Sequence, residues 1–221
     1  RSTEAIGFYA LRNLANGYDL LRLIIETRKD QVEAYQWEIV PKDADANADA
    51  FKDQIYKATE FFERPDREHD WPEWLRMMME DLLVIDAVCI YPRATLGGGV
   101  YGFDLVDGAT ITRLLDDDGR TPMAPSPAYQ QILKGIQAAD YSTDSLVYLM
   151  RNPRTWKVYG YSPVEQVIMT VNIALRRQVS QLQAYTEGNV PEALAQAPDT
   201  WTPSNIADFQ AWFDSVLEGN T

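Results

Sequence analysis

The sequence has little of the chemistry that most enzymes and metalloproteins use. Its 221 residues include one cysteine and one histidine. A disulfide within the chain is therefore impossible, and a single histidine without a cysteine partner argues against a zinc site. Cys89 lies between apolar neighbours and is predicted to be a small buried residue. A free thiol of this kind is typical of a protein that assembles in a reducing cytoplasm.

Long apolar runs are also missing. No stretch of about 18 or more apolar residues occurs, so a membrane-spanning helix is not expected. No charged-then-apolar signal sequence opens the chain. The first residue is Arg1 rather than Met, and the sequence stops just after Gly219 and Asn220. We therefore expect the chain to be part of a longer protein.

Positive charge is scarce. The chain carries 33 acidic and 20 basic residues, for a net charge of −13. Domains that bind nucleic acid by neutralising its phosphates are usually basic, so the negative net charge argues against such a role. An acidic surface would instead repel DNA and keep it from sticking, although acidic soluble proteins of many classes exist. The apolar fraction of 46% is ordinary for a folded protein with a real core.

Catalytic motifs are not found. His69 lies in a charged loop with no nucleophile elbow nearby, and the glycines at 97–99 lack the Gly-Lys-Ser/Thr of a phosphate loop. The acidic run at 116–119 departs from the EF-hand pattern and predicts a turn instead. We predict no catalytic residue, no cofactor and no metal site. An enzyme that works through carboxylates alone stays open as an alternative.

Residues 1–158 predict an α+β fold. Apolar residues at helical spacing indicate helices over 5–29, with a break near 16–17, over 51–63 and from Trp71 to Ile85. Alternation from Tyr35 to Ile39 predicts a half-buried strand. From Asp86 to Met150 the period changes to two. Five short strands are predicted there, in AVCIYP, VYGFDLV, ATITRLL, AYQQIL and SLVYLM. We expect a small, mainly antiparallel sheet packed against the helices.

One long helix is predicted within 159–188. Ser162 can cap its first turn, Pro163 fits the first helical position, Glu165 completes a capping box and Gly188 can end it. About 25 residues at 1.5 Å each would make a rod of roughly 37 Å. Apolar residues at three- and four-residue spacing form one stripe: Val164, Val167, Ile168, Val171, Leu175, Val179 and Leu182. The polar face includes Asn172, Arg176, Ser180, Gln183 and Glu187, which makes the helix amphipathic.

The order of these elements resembles the portal proteins of tailed bacteriophages, the ring-shaped head-to-tail connectors. In that family a G-x-S-P start introduces the stem helix beside the DNA channel, and a G-x-x-P exit leads into the clip. Gly160, Ser162 and Pro163 match the start, and Gly188 and Pro191 match the exit. The resemblance implies a wing-like α+β domain (1–158), a long projecting stem helix (159–188) and a partial clip (189–221). The returning stem helix and the crown have no counterpart in this sequence.

The resemblance also implies partners. Portal subunits form a homo-oligomeric ring, usually a dodecamer, at one vertex of the virion capsid, assembled in the bacterial host cytoplasm. The ring binds capsid and scaffold proteins, the terminase large subunit and later the tail adaptor proteins, while double-stranded DNA passes through it. No membrane is involved. On the stem helix, Asn172, Arg176, Arg177, Ser180 and Gln183 are candidates for contacts with DNA or the next subunit. A solvated salt bridge is the plainer interpretation of the two arginines.

The last 33 residues combine acidic and aromatic side chains. Residues 189–221 contain five acidic residues and neither Lys nor Arg. Trp201, Phe209, Trp212 and Phe213 lie on or beside a helix predicted from Pro203 to Glu218, capped by Thr202. Large aromatics of this kind are typical anchors for a protein partner, here in the clip, or else they form a small local core. The competing hypothesis is therefore a non-enzymatic α+β adaptor domain that binds a partner through this aromatic helix.

Overall fold

A computed structural model of the chain describes residues 6–42, 48–186, 198 and 200–218. The helices of this part are α1 (Phe8–Gly17), α2 (Asp19–Glu33), α3 (Lys52–Glu63), α4 (Trp71–Val84), α5 (Pro163–Gln166), α6 (Ile168–Thr186) and α7 (Pro203–Glu218). The strands are β1 (Val88–Ala94), β2 (Val100–Val106), β3 (Ile111–Arg113), β4 (Tyr129–Leu133), β5 (Ile136–Tyr141) and β6 (Val147–Leu149). Short 3-10 turns cover Ala48–Phe51 and Gly108–Thr110. The chain divides into two compact units, Arg1–Arg176 and Arg177–Thr221.

The helical predictions are largely confirmed. The break expected near 16–17 falls at Tyr18, whose backbone is extended between α1 and α2 (φ −123°, ψ 105°). Asp70 caps α4, since its side chain accepts a hydrogen bond from the Glu73 backbone N–H at 3.0 Å. The α7 helix has the predicted bounds. None of the helices in the described part is both long enough and apolar enough to span a membrane.

The strands form two small antiparallel sheets, which confirms the predicted α+β class. In the first sheet β1 lies between β2 and β6, and in the second β4 lies between β3 and β5. Strand β5 was not among the five predicted from sequence. It pairs with β4 through a tight turn at Lys134 and Gly135, both of which have positive φ angles (52° and 80°). The turn is therefore what makes this extra hairpin possible.

Two apolar cores hold the first unit together. The larger core lies among α1, α2, α4 and the start of the 163–186 segment. Its buried members include Leu11, Ile25, Leu83, Val84, Ile85, Tyr159, Val164 and Val171. The smaller core lies between the sheets and includes Cys89, Ile111, Ala128, Tyr129 and Leu146. Burial of Cys89 confirms the sequence prediction for this residue.

The strand predicted at Tyr35–Ile39 is wrong. The segment has no strand partner and runs as irregular chain after α2. The Trp37 ring contacts the rings of Phe62 (6.3 Å between centroids) and Trp71 (5.3 Å). Side-chain packing onto α3 and α4 therefore replaces sheet pairing, and alternation alone could not distinguish the two.

Ion pairs connect α2 to α4 along their polar sides. Arg76 of α4 lies 2.6 Å from Glu26, 2.6 Å from Asp30 and 2.8 Å from Glu33, all on α2. Glu80 receives hydrogen bonds from Arg22 and pairs with Lys29, a lysine that is buried in the structure. Burial of the Glu80 carboxyl opposes its ionisation, but these cations outweigh that effect and lower the pKa of Glu80 to about 2. The network therefore fixes the spacing of two helices that carry the larger core.

Candidate functional site

Asp86 organises the junction between the α+β body and the predicted stem helix. It follows α4, is fully buried and has a left-handed backbone (φ 53°). Its carboxylate accepts hydrogen bonds from the backbone N–H groups of Arg151 (2.5 Å) and Asn152 (3.0 Å). These bonds attach the turn before the 163–186 segment to the end of α4. Sequence analysis did not single out Asp86, although an Asp just after a helix is a residue type that tolerates the left-handed region.

Gly160 packs directly on this carboxylate. A Cβ at Gly160 would lie 2.1 Å from Oδ2 and 2.6 Å from Cγ of Asp86, which is too close for any side chain. The loop between Asn152 and Tyr161 is closed by two hydrogen bonds. The Tyr161 N–H donates to the Asn152 carbonyl (2.9 Å), and Asn152 Nδ2 donates to the Tyr161 carbonyl (3.1 Å). The glycine of the G-x-S-P motif is thus required by close packing.

Ser162 confirms the predicted N-cap and adds a second bond. Its buried Oγ accepts from the Glu165 backbone N–H (3.1 Å) and donates to the Val84 carbonyl at the end of α4 (2.6 Å). Pro163 occupies the first turn as predicted. The Glu165 carboxylate lies 4.0 Å from the Arg154 guanidinium. The motif therefore joins the start of the 163–186 segment to the body through side chains as well as backbone.

The prediction of one unbroken helix from this start is wrong. The four-residue helix α5 ends at Gln166, the backbone of the next residue, Val167, leaves the helical region (φ −104°, ψ 7°), and α6 begins at Ile168. Val167 and Ile168 are both β-branched, which lowers the helix propensity at this point. The 19 residues of α6 span about 28 Å rather than the roughly 37 Å expected. Gly188 and Pro191, the predicted exit, lie outside the described residues.

The candidate contact residues of α6 are all exposed. Asn172, Arg176, Ser180 and Gln183 lie within about 80° of one another around the helix axis, whereas Arg177 lies about 100° from Arg176. These two arginines are the only charged residues between Ile168 and Thr186. The helix therefore presents four of the five candidates on one face, and the two cations on different faces.

The predicted apolar stripe is buried only at its start. Val164 and Val171 are buried in the larger core, and Leu175 is half-buried against it. Further along, Val179 and Leu182 are 55% and 61% exposed. Sequence analysis also missed three exposed apolar residues, of which Tyr185 continues this stripe and Met169 and Ile173 lie on another face. A helix that exposes large apolar side chains on more than one face has the surface of an element that packs against other chains.

The aromatic residues of the second unit lie close together. Phe209 contacts the rings of Trp201 (5.4 Å), Trp212 (5.7 Å) and Phe213 (6.1 Å). Trp212 and Phe213 nevertheless remain exposed. The four rings thus form a local cluster with an outer surface, and their role in partner docking stays a prediction.

The remaining reactive groups have local partners. His69 Nδ1 lies 2.7 Å from Asp66 Oδ2, and this hydrogen bond raises the pKa of His69. Burial raises the pKa of the Cys89 thiol, which therefore stays protonated at neutral pH. Within the described ranges, no cluster of three or more His, Cys, Asp or Glu side chains could hold a metal ion.

Comparison with known structures identifies the class of fold. A chain from the neck of an empty gene transfer agent (GTA) particle with C6 symmetry gives a TM-score of 0.65 at 12% identity, over 94% of this chain and 55% of that one. A chain of the native GTA virion gives 0.62 at 10% identity, over 94% and 54%. An HK97-family phage portal protein from Corynebacterium diphtheriae gives only 0.35 at 14% identity, over 64% and 42%. No family model matches the sequence, and no curated protein is similar to it.

At these identities the likeness is one of fold. It confirms, at that level, the resemblance to phage portal proteins that the order of motifs predicted. The chain spans about half the length of the GTA chains it matches.

Proposed function

We propose that the chain is part of a portal subunit, a member of a homo-oligomeric ring at a capsid vertex through which double-stranded DNA is packaged and ejected. The observation that carries the proposal is α6, whose apolar stripe stays exposed beyond Leu175, at Val179, Leu182 and Tyr185, while Met169 and Ile173 are exposed on another face. Such a helix needs neighbours, and a closed ring provides them through one repeated head-to-tail contact. The fold shared with a chain from a C6-symmetric GTA neck supports the same arrangement.

In this proposal α6 belongs to the stem beside the DNA channel. Asn172, Arg176, Ser180 and Gln183 form one polar face, and Arg177 points elsewhere. At most one of the two arginines can face the DNA phosphates, so the other meets the adjacent subunit. The net charge of −13 suits a channel that lets DNA slide rather than one that binds it.

The remaining segments take the roles that the family suggests. Residues 1–158 form the wing, 159–188 the stem, with Gly188 and Pro191 at its exit, and 189–221 part of the clip. The clip aromatics would dock the terminase large subunit during packaging and the tail adaptor proteins afterwards. Capsid and scaffold proteins surround the ring in the virion. The protein is structural in this proposal, with the packaging ATPase a separate protein.

A second candidate function is an adaptor domain that stays monomeric or dimeric. The exposed Trp212 and Phe213 favour it, because large aromatics on a short helix are common anchors of protein–protein contacts. The same two residues serve the clip in the portal proposal. Oligomeric state therefore separates the two functions.

Electron microscopy of the protein at its natural length, purified at several concentrations, tests the proposal. Rings with a central channel are the expected result. Compact monomers at every concentration would contradict the portal function and favour the adaptor. A matched pair of variants then examines the stem: Arg176→Glu and Arg177→Glu change the same charge on different faces of α6. If the ring forms, only the substitution at the subunit interface should prevent its assembly.

A further inference from the structure

An apolar groove lies between α2 and the start of the 163–186 segment. Leu20 and Ile24 of α2 form one wall, and Val167 and Thr170 belong to the other. Its floor is made of buried side chains from the larger core: Leu21, Ile25, Leu83, Val164 and Val171. The cavity has a volume of about 330 Å³. All of these residues belong to the first unit.

The walls of the groove are open to solvent. Leu20, Ile24 and Val167 are 53%, 51% and 37% exposed, and Thr170 is exposed as well. The charged residues that line the cavity are Arg28 and Arg151, both cations. An occupant of this groove therefore has to be apolar and has to bring no positive charge into it.

The first two turns of α6 carry apolar side chains of this kind on the side away from the groove. Met169 and Ile173 are 70% and 49% exposed. Around the helix axis the two lie about 40° from each other and about 160° from Val171, which is part of the groove floor. The same short stretch of helix thus contributes to an apolar groove on one side and presents two apolar side chains on the other.

The two surfaces also lie at the same level of the helix. Thr170 and Val171, the residues of α6 that line the groove, fall between Met169 and Ile173 in the sequence. Copies in a closed ring are related by rotation about one axis, so equivalent residues have the same height along that axis in every copy. For a helix that runs beside the channel, a contact between neighbouring copies therefore joins residues from the same level.

We propose that Met169 and Ile173 of one copy insert into the groove between α2 and the 163–186 segment of the adjacent copy. The inference deepens the proposed ring and rests on it. Each copy has one groove and one pair of inserting side chains on nearly opposite sides, so the contact is head-to-tail and can repeat around the ring. Arg176 lies about 20° from Met169 around the axis, which assigns Arg176, rather than Arg177, to the side of α6 that meets the adjacent copy.

Complementary substitutions test the contact in the protein at its natural length. Ile24→Glu places a carboxylate in the groove, and Ile173→Lys places an ammonium on the inserting face. Each alone buries an unpaired charge in the contact and should weaken self-association about tenfold or more. In an equal mixture every second contact of an alternating ring pairs Lys with Glu and the others are unaltered, so association should recover. Sedimentation velocity over a range of concentrations measures both effects.

Leu23→Glu is the matched control. Leu23 is the neighbour of Ile24 on α2 and is 61% exposed, but it does not line the groove. The same charge at this position should leave association unchanged. Because Leu23, Ile24 and Ile173 are all exposed, circular dichroism and thermal unfolding of the three variants should match those of the unaltered protein. A variant that is folded but associates weakly then reports the contact and not the fold.

Two results would overturn the contact: an Ile24→Glu variant that associates as the unaltered protein does, or two weakened variants whose mixture does not recover. The second result would mean that the groove and the inserting face meet other partners. Electron microscopy of the same samples separates this inference from the proposed function. Rings that tolerate Ile24→Glu refute the groove contact and leave the portal function standing. Recovery in the mixture as open chains, without rings in any sample, refutes the portal function and leaves the head-to-tail contact standing.

Discussion

The contact between Asp86 and Gly160 predicts a measurable energetic coupling. Asp86→Gly removes a fully buried carboxylate that accepts two backbone N–H bonds, and leaves both donors without it. An unsatisfied buried donor costs about 1–3 kcal/mol, so the free energy of unfolding should fall by about 2–5 kcal/mol. Glycine also suits the left-handed backbone at this position, so the loss reports the hydrogen bonds and not strain.

Gly160→Ala tests the other side of the contact. The backbone at Gly160 does not have a positive φ, so the penalty for alanine is steric. With the Asp86 carboxylate present, a Cβ would lie 2.1 Å from Oδ2 and the free energy of unfolding should fall by about 2 kcal/mol or more. In the Asp86→Gly background the nearest remaining atom is the backbone oxygen, at 3.0 Å. The same alanine should then cost less than about 1 kcal/mol.

Urea unfolding of the four proteins, followed by circular dichroism and tryptophan fluorescence at pH 7, measures the cycle. We expect the double variant to be more stable than the sum of the single changes predicts, by about 1–2 kcal/mol. Asp86→Asn is the matched control, because its amide occupies the same space and should leave the alanine penalty unrelieved. Equal alanine penalties in the Asp and Gly backgrounds would refute the packing account of the G-x-S-P glycine.

Three further predictions concern the same unit. The pKa of Glu80 is lowered to about 2, so its contribution to the free energy of unfolding is complete well above pH 4.5, the pKa of the unfolded carboxyl, and is lost as the pH falls through that value toward 2. Allowing for its partial exposure, Glu80→Gln should remove about 1–2 kcal/mol of pH-dependent stability over that range, measured by urea unfolding at each pH, and an unchanged profile would contradict the assignment. Ser162→Ala removes the cap and the bond to Val84 and should cost about 1–3 kcal/mol, whereas the exposed Ser180→Ala should cost less than about 0.5 kcal/mol in the same assay. Cys89 should react with a thiol reagent only in proportion to the unfolded fraction, because its thiol is buried and burial raises its pKa. Rapid labelling in the absence of urea would show that the smaller core opens.

The sequence predicted what local rules determine. The N-cap at Ser162, the break near Tyr18 and the bounds of α7 follow from capping residues and apolar spacing, and the structure has all three. The aromatic cluster around Phe209 follows from helical spacing as well. The resemblance to portal proteins depended on the order of such local signals, and the fold is shared with a GTA chain at 12% identity.

Contacts between distant residues could not be predicted in this way. Asp86 and Gly160 are 74 positions apart, and neither the pairing nor the need for glycine is visible without the fold. The alternation at Tyr35–Ile39 was mistaken for a paired strand, because a side chain such as Trp37 that packs on helices gives the same sequence pattern as one that packs under a sheet. Strand β5 was missed because its turn uses Lys134, a residue type that rarely adopts a positive φ.

These contacts determine how the 163–186 segment leaves the rest of the first unit. Its first turn is joined to α4 by Ser162 and, through the turn at Arg151 and Asn152, by Asp86, so its direction is set by buried hydrogen bonds. Leu175, nine residues after the last residue of α5, is half-buried against the larger core, and the residues of α6 that follow it are exposed. In the proposed ring, the chain itself would fix where this helix starts, and most of the helix surface would be left to neighbouring copies. In a ring, assembly would then complete a surface that no single copy can bury, and the stem would be stable only where adjacent subunits meet.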